Sequence, residues 1–214
     1  AIFCQNASLL FNQIKETSLQ VNAQALSALG WVQIGEFSLA EETLKSIEKS
    51  VEKVVHPESK TPQLMVNCLL SIYQGQFIKA KDLVEKLQME IEKYNLVSMA
   101  PWTFEISGYL EFCQRRFAGA EEIGNRYCNL AQSMKNPGYK GLAVRRLGLI
   151  SLHRGDFKKA KELIRQVIEI FSKEAPSRYE LNRARMMMGL IGYHLKEYES
   201  AEEELMESLS YFDA

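Results

Sequence analysis

RGDFKKA, residues Arg154 to Ala160, is the stretch that decides the fold of this chain. A glycine and a polar residue interrupt an apolar run, an aromatic follows, and a variable pair leads to alanine. The same phrase recurs as IGEFSLA (Ile34 to Ala40), QGQFIKA (Gln74 to Ala80), QRRFAGA (Gln114 to Ala120) and LKEYESA (Leu195 to Ala201). Its aromatics, Phe37, Phe77, Phe117, Phe157 and Tyr198, are spaced 40, 40, 40 and 41 residues apart, and the alanines keep that spacing. Nine residues before each aromatic stands a small residue: Ala28, Cys68, Gly108, Gly148 and Gly189. A fixed period of this size marks an array of supersecondary units, each too small to bury its apolar face alone.

Each column has a physical reason. The small residue lets the two helices of a unit approach closely. Gly35, Gly75 and Gly155 can take the left-handed conformation that ends a helix. Arg115 and Lys196 stand at the same place without that freedom, so their turns are expected to be strained or differently built. The aromatic is expected to fill the space between one unit and the next, and deleting a buried one should cost roughly 3–5 kcal/mol. Beyond the alanine, Leu163, Ile164, Val167, Ile168 and Phe171 form one apolar stripe at helical spacing. Lys158, Lys159, Lys161, Glu162, Arg165 and Gln166 lie opposite it and read as a solvated face, as do Glu41, Glu42, Glu202, Glu203 and Glu204.

Working outward, the period predicts an all-α chain, one repeat domain over 1–214. It comprises a truncated repeat over 1–18 and repeats at about 21–60, 61–100, 101–140, 141–180 and 181–214. Four of five prolines fall in the connectors, with Pro62 beside them, as helix breakers should. Residues 1–17 fit the second helix of a unit whose first helix is missing, so the chain reads as a piece of a longer protein. That helix would present Ile2, Phe3, Leu9, Leu10, Phe11 and Ile14 as an apolar stripe, which predicts self-association through it or docking of a preceding repeat there.

Composition narrows the function classes. The 26 basic and 27 acidic residues leave a formal charge of -1, which argues against direct nucleic-acid contact or adhesion to an anionic membrane. No apolar run approaches the roughly 20 residues of a membrane helix. Cys4, Cys68, Cys113 and Cys128 form no CxxC pair, which points to a reducing, cytoplasmic setting. No phosphate loop, dinucleotide fingerprint, HExxH or GxSxG motif is present, and strand-like segments are missing, so no enzyme and no cofactor are expected. Cys113, His153 and His194 share one column, a tempting metal set. Equivalent helices of neighbouring units lie roughly 8–10 Å apart, however, while ligands of one zinc sit within about 4 Å of each other. No metal is expected there.

The three columns resemble those of the tetratricopeptide-repeat (TPR) superfamily, with a small residue at position eight, an aromatic at seventeen and alanine at twenty. The family's usual period is about 34. A period near 40 is similar to the TPR-like sensor domain of MalT-type regulators and to the peptide-sensing Rap and PlcR-like regulators. The resemblance implies a right-handed superhelical α-solenoid whose first helices line a concave face. Carried onto this sequence, the family's binding positions give Tyr73, Trp102, Glu105, Tyr109, Phe112, Arg145, His153, Arg183, Tyr193 and His194, joined by Arg146 and Met187 from the adjoining position. Arginines beside aromatics suit a carboxylate or phosphate next to an apolar body, unless Glu105 and Glu180 neutralise them. The Lys and Asn set of the TPR carboxylate clamp is not reproduced. The implied function is a protein- or peptide-binding scaffold, with an anionic-apolar small ligand as a further candidate. The alternative is a ligand- or peptide-sensing domain of a signalling or transcription regulator.

Overall fold

The structure is a computed structural model that describes residues 2–13, 16–53, 58 and 60–212. The described residues form helices joined by short turns, with no strand among them. The helices are α1 (Ile2–Gln13), α2 (Thr17–Gln33), α3 (Phe37–Lys53), α4 (Thr61–Tyr73), α5 (Phe77–Lys93) and α6 (Ala100–Cys113). There follow α7 (Phe117–Ser133), α8 (Pro137–His153), α9 (Phe157–Glu169), α10 (Arg178–His194) and α11 (Tyr198–Phe212). The signature aromatic opens every second helix, and the five expected pairs are α2/α3, α4/α5, α6/α7, α8/α9 and α10/α11. Two compact units divide the chain, Ala1–Ile106 and Ser107–Ala214.

In the first unit, α1 packs on α2, and α4 packs on its partner α5 and also on α2. Val21, Ala25, Ala28 and Val32 of α2 meet Ala40, Leu44 and Ile47 of α3 and Val66 and Leu70 of α4 in one core. Leu9 and Leu10 of α1 are exposed; the side chains of Ile2, Phe3 and Ile14 lie outside the described residues. In the second unit, α8 is sandwiched by α7 and α9, and α10 lies against α9 more than against α8. Val144, Leu152, Ile164, Val167 and Phe171 there enclose Ala184, Met187, Met188 and Ile191.

The small-residue column sits where the period puts it. Ala28 and Cys68 are fully buried, and burial pushes the Cys68 thiol up to about 12, so it serves as a small neutral filler. A Cβ on Gly148 would lie 2.6 Å from Ile164 Cδ1, and one on Gly189 would lie 2.5 Å from Leu205 Cγ. The aromatic column differs from expectation: Phe37, Phe77, Phe117 and Phe157 are only half-buried, and Tyr198 is exposed. One ring face covers the neighbouring helix while the other side meets solvent, so deleting Phe157 removes less buried area than a core phenylalanine would.

The turns between paired helices share one geometry. Gly35, Gly75 and Gly155 have φ of 83°, 72° and 79°, and Arg115 and Lys196 follow at 59° and 64°. In each, the next residue donates to a carbonyl five back, as Glu36 does to Trp31 and Arg116 to Glu111. Arg115 and Lys196 therefore carry the strain that a side chain meets in the left-handed region. Arg115→Gly and Lys196→Gly should each raise stability by about 1 kcal/mol, the order of that steric cost. Urea midpoints read by circular dichroism check this; an unchanged or lower midpoint would contradict it.

The odd interval of 41 also has a cause. After α7 the chain turns at Lys135 with positive φ, and Asn136 N donates to Ala131 O. After α9 it runs instead through a π turn, Ile170–Glu174, where Ala175 N donates to Ile170 O. Ser177, the next cap, then donates to Phe171 O, six residues back rather than five. A π turn absorbs one extra residue, which keeps Ala131 and Phe171 equivalent and both buried.

Several charges expected on a solvated face instead link successive repeats. Glu41 accepts from Gln74 Nε2 at 2.7 Å. Glu121 accepts from Lys159 at 3.0 Å and from Arg154, and Lys161 donates to Glu197. The Lys159 hydrogen bond, with help from Arg154, holds the Glu121 carboxyl below the usual carboxylate range. These partly exposed links each add little, but they join successive repeats within each unit.

Candidate functional site

The twelve residues proposed from sequence fall in both units. Tyr73 ends α4 in the first unit, exposed, with its ring tilted 6.1 Å from that of Phe37. Trp102 and Glu105, on the first turns of α6, also belong to that unit and are half-buried. The remaining nine lie in the second unit, where they divide into an aromatic cluster, an ion network and an apolar cavity.

The aromatic cluster is built from the end of α6. Tyr109 and Phe112 stack at 6.5 Å, and Phe112 meets His153 edge-on at 4.8 Å. His153 also lies 6.5 Å from Phe117. Its counterpart one repeat on, His194, stacks on Phe157 at 4.5 Å with rings 5° from parallel. The two histidines of the Cys113, His153 and His194 column therefore have a packing role, each covering the signature aromatic of the preceding repeat. No group of three His, Cys, Asp or Glu that could hold a metal occurs among the described residues. Burial raises the Cys113 thiol, with Tyr109 and Arg146 opposing the shift.

The arginines are placed differently from the solvent-facing position that their column implies. Arg145 and Arg146 are 5% and 6% exposed. Arg145 Nε lies 3.2 Å from Glu180 Oε2, and Arg183 Nη1 lies 3.6 Å from Glu180 Oε1. The Arg146 guanidinium sits 4.9 Å above the Tyr109 ring, and that of Arg183 sits 5.4 Å from Tyr179. A buried guanidinium must be paired or it costs several kcal/mol, and α8 is enclosed by neighbours on both sides. Arg145 and Arg146 thus hold first helices together, while Arg183, the most exposed of the three, is the cation best placed to meet an anion.

The cavity is the feature with the shape of a binding site. It measures about 630 Å³ and opens to solvent. Leu149, Leu152 and His153 of α8 and Met186, Met187, Leu190 and Tyr193 of α10 form one wall. Tyr198, Ala201, Glu202, Leu205 and Met206 of α11 form the other. His153, Met187 and Tyr193 were among the sequence candidates; the α11 wall was not. Pockets of a few hundred cubic ångströms with mostly apolar walls are the usual sites for ligands or partner side chains. The signal for the α11 wall was nonetheless present, because Leu205 and Leu209 occupy the apolar-stripe register of a second helix, 41 residues after Ile164 and Ile168.

Neither a family model nor a curated protein matches the chain. Solved structures do. One is a signal-transduction ATPase with numerous domains (STAND) and a tetratricopeptide-repeat sensor from Pyrococcus horikoshii, at TM-score 0.70 and 19% identity. It is matched over 96% of this chain, which spans only 31% of that protein. BtubC (BKLC) from P. vanneervenii is similar at TM-score 0.67 and 14% identity, over 97% of this chain and 85% of that one. The apo form of RapI is similar at TM-score 0.61 and 13% identity, over 95% of this chain and 58% of that one. At these identities the likeness concerns the fold, which is that of TPR-like helix-pair repeats. No helix among the described residues is long and apolar enough to cross a membrane.

Proposed function

We propose that this chain is a protein- or peptide-binding scaffold and that the cavity of the second unit is its principal contact site. The supporting observation is a run of large apolar side chains, Met186, Leu190, Tyr193 and Met206, left exposed around one opening. Scattered apolar residues on a surface are ordinary, but a contiguous patch around a concavity marks an interaction site. Methionine and tyrosine also suit it, the first by flexibility and the second by rigid area with a polar tip. Tyr193→Ala and Met186→Ala together should weaken capture of the full-length protein's partners by about tenfold or more, a loss of about 1.4 kcal/mol. Unchanged capture by a folded double variant would move the site elsewhere.

The fold shared with a STAND protein's repeat sensor favours a second reading, in which the cavity receives a ligand or peptide within a signalling or transcription regulator. The two readings separate on the full-length sequence, where an ATPase or a helix-turn-helix module supports the regulator.

A further inference from the structure

The cavity between α8, α10 and α11 carries a distinct chemistry at its mouth. Behind the mouth its walls are aliphatic and thioether, from Leu149, Met186, Met187, Leu190, Leu205 and Met206. Tyr193 and Tyr198 also line it and are 61% and 58% exposed. Their ring centroids lie 5.9 Å apart, with the planes inclined by 60°. That separation lets one cation lie within about 6 Å of both centroids, the reach of a cation–π contact. Glu202 follows Tyr198 by one helical turn, on the same face of α11, and lines the same cavity.

The charge of the lining has one sign. Glu202 is exposed and makes no ion pair among the described residues. No lysine or arginine joins it in the lining. Arg145 and Arg183, expected from sequence to meet an anion, pair with Glu180 and lie outside the cavity. His153, on the α8 side, packs its ring against Phe112 and Phe117. A carboxylate beside two tyrosine rings attracts a cation and repels an anion. Ring faces need no hydrogen bond from their guest, so they suit an alkylated ammonium as well as a free amine. The aliphatic walls call for an apolar body behind that head, and about 630 Å³ falls in the size range of small-molecule sites.

We propose that the cavity binds a small amphiphilic cation, an organic ammonium carried on an apolar body. This rests on the cavity being the contact site proposed above and names the class of its ligand. The apolar body leaves water for the aliphatic walls, which supplies most of the affinity, and Met186, Met187 and Met206 adapt to its shape. The ammonium lies against Tyr193 and Tyr198, with Glu202 as its counter-ion. Selectivity comes from the head: a carboxylate on the same body meets the like charge of Glu202, and a neutral hydroxyl forgoes both the ring and the ion contact.

The test uses the full-length protein and three probes that share an octyl chain: octyltrimethylammonium, octanol and octanoate. Isothermal titration calorimetry should show the cation binding about tenfold or more tightly than octanol, with octanoate the weakest. Glu202→Lys, at an exposed position, should reverse the order of cation and carboxylate with an unchanged melting temperature. Tyr193→Leu with Tyr198→Leu should cut the preference for the cation over octanol by about fivefold. Equal affinity for the three probes, or an order that Glu202→Lys leaves unchanged, overturns the proposal. So does binding of a leucine-flanked lysine peptide with octyltrimethylammonium excluded, since the occupant is then a partner segment. If octyltrimethylammonium fails to bind while Tyr193→Ala with Met186→Ala still weakens partner capture, the small cation is rejected and the scaffold stands. If that capture is also unchanged, both are rejected.

Discussion

Gly148→Leu is expected to lower the stability of the second unit by about 3 kcal/mol, the upper part of the range for overpacked cores. The first added carbon would fall 2.6 Å from Ile164 Cδ1 and 3.1 Å from Cγ1. Ile164 is itself fully buried, so it has no open space into which to swing. The remaining leucine atoms must then part α8 from α9. Gly108, in the same column, gives the internal control. A Cβ there would meet Ile123 Cγ2 at 3.4 Å, an ordinary contact, so Gly108→Ala should gain up to about 1 kcal/mol of helix propensity. Opposite signs at two positions of one sequence column, read from urea unfolding, would show that packing rather than column membership sets the cost. Gly148→Leu at the wild-type midpoint would contradict the close α8–α9 contact.

That contrast also shows what a sequence can and cannot disclose about such a chain. The helices, their pairing and their turns follow from local rules, so Phe37 to Tyr198 and Ala28 to Gly189 mark them in advance. Even the strained turns at Arg115 and Lys196 are legible, because only glycine is at ease there. Burial of a particular face is not local. Assigning Arg145 and Arg146 to a solvent-facing strip treats α8 as having one open side. Yet Val144, Arg145 and Arg146 are consecutive and all buried, which no periodic stripe predicts. Enclosure by α7 and α9, and the reach of Glu180 from α10, bury them. Met187 is buried for a similar reason, while Leu190, three residues on, is exposed at the mouth of the cavity. The apolar wall of α11 was hidden by the same assumption, since candidates were sought only on first helices.

Arg145→Ala should therefore act on stability before it acts on any ligand. Its guanidinium is 5% exposed and pairs with Glu180 at 3.2 Å, and removing one partner of a buried pair costs about 3–5 kcal/mol. Arg183 still lies 3.6 Å from the same carboxylate and compensates in part, so the expected loss is near 3 kcal/mol. Arg183 is more open, its side chain 37% exposed, so Arg183→Ala alone should cost less than about 1 kcal/mol. A double variant, Arg145→Met with Glu180→Leu, removes both charges and should recover much of the loss, because apolar replacement of a buried pair is often close to neutral. The coupling energy from that cycle isolates the ion pair from the lost packing of the arginine stem. Binding follows the same logic in reverse: Arg183→Ala leaves the fold intact and is the clean probe of an anionic ligand. Equal unfolding midpoints for Arg145→Ala and Arg183→Ala would refute the buried pair and return Arg145 to the binding surface.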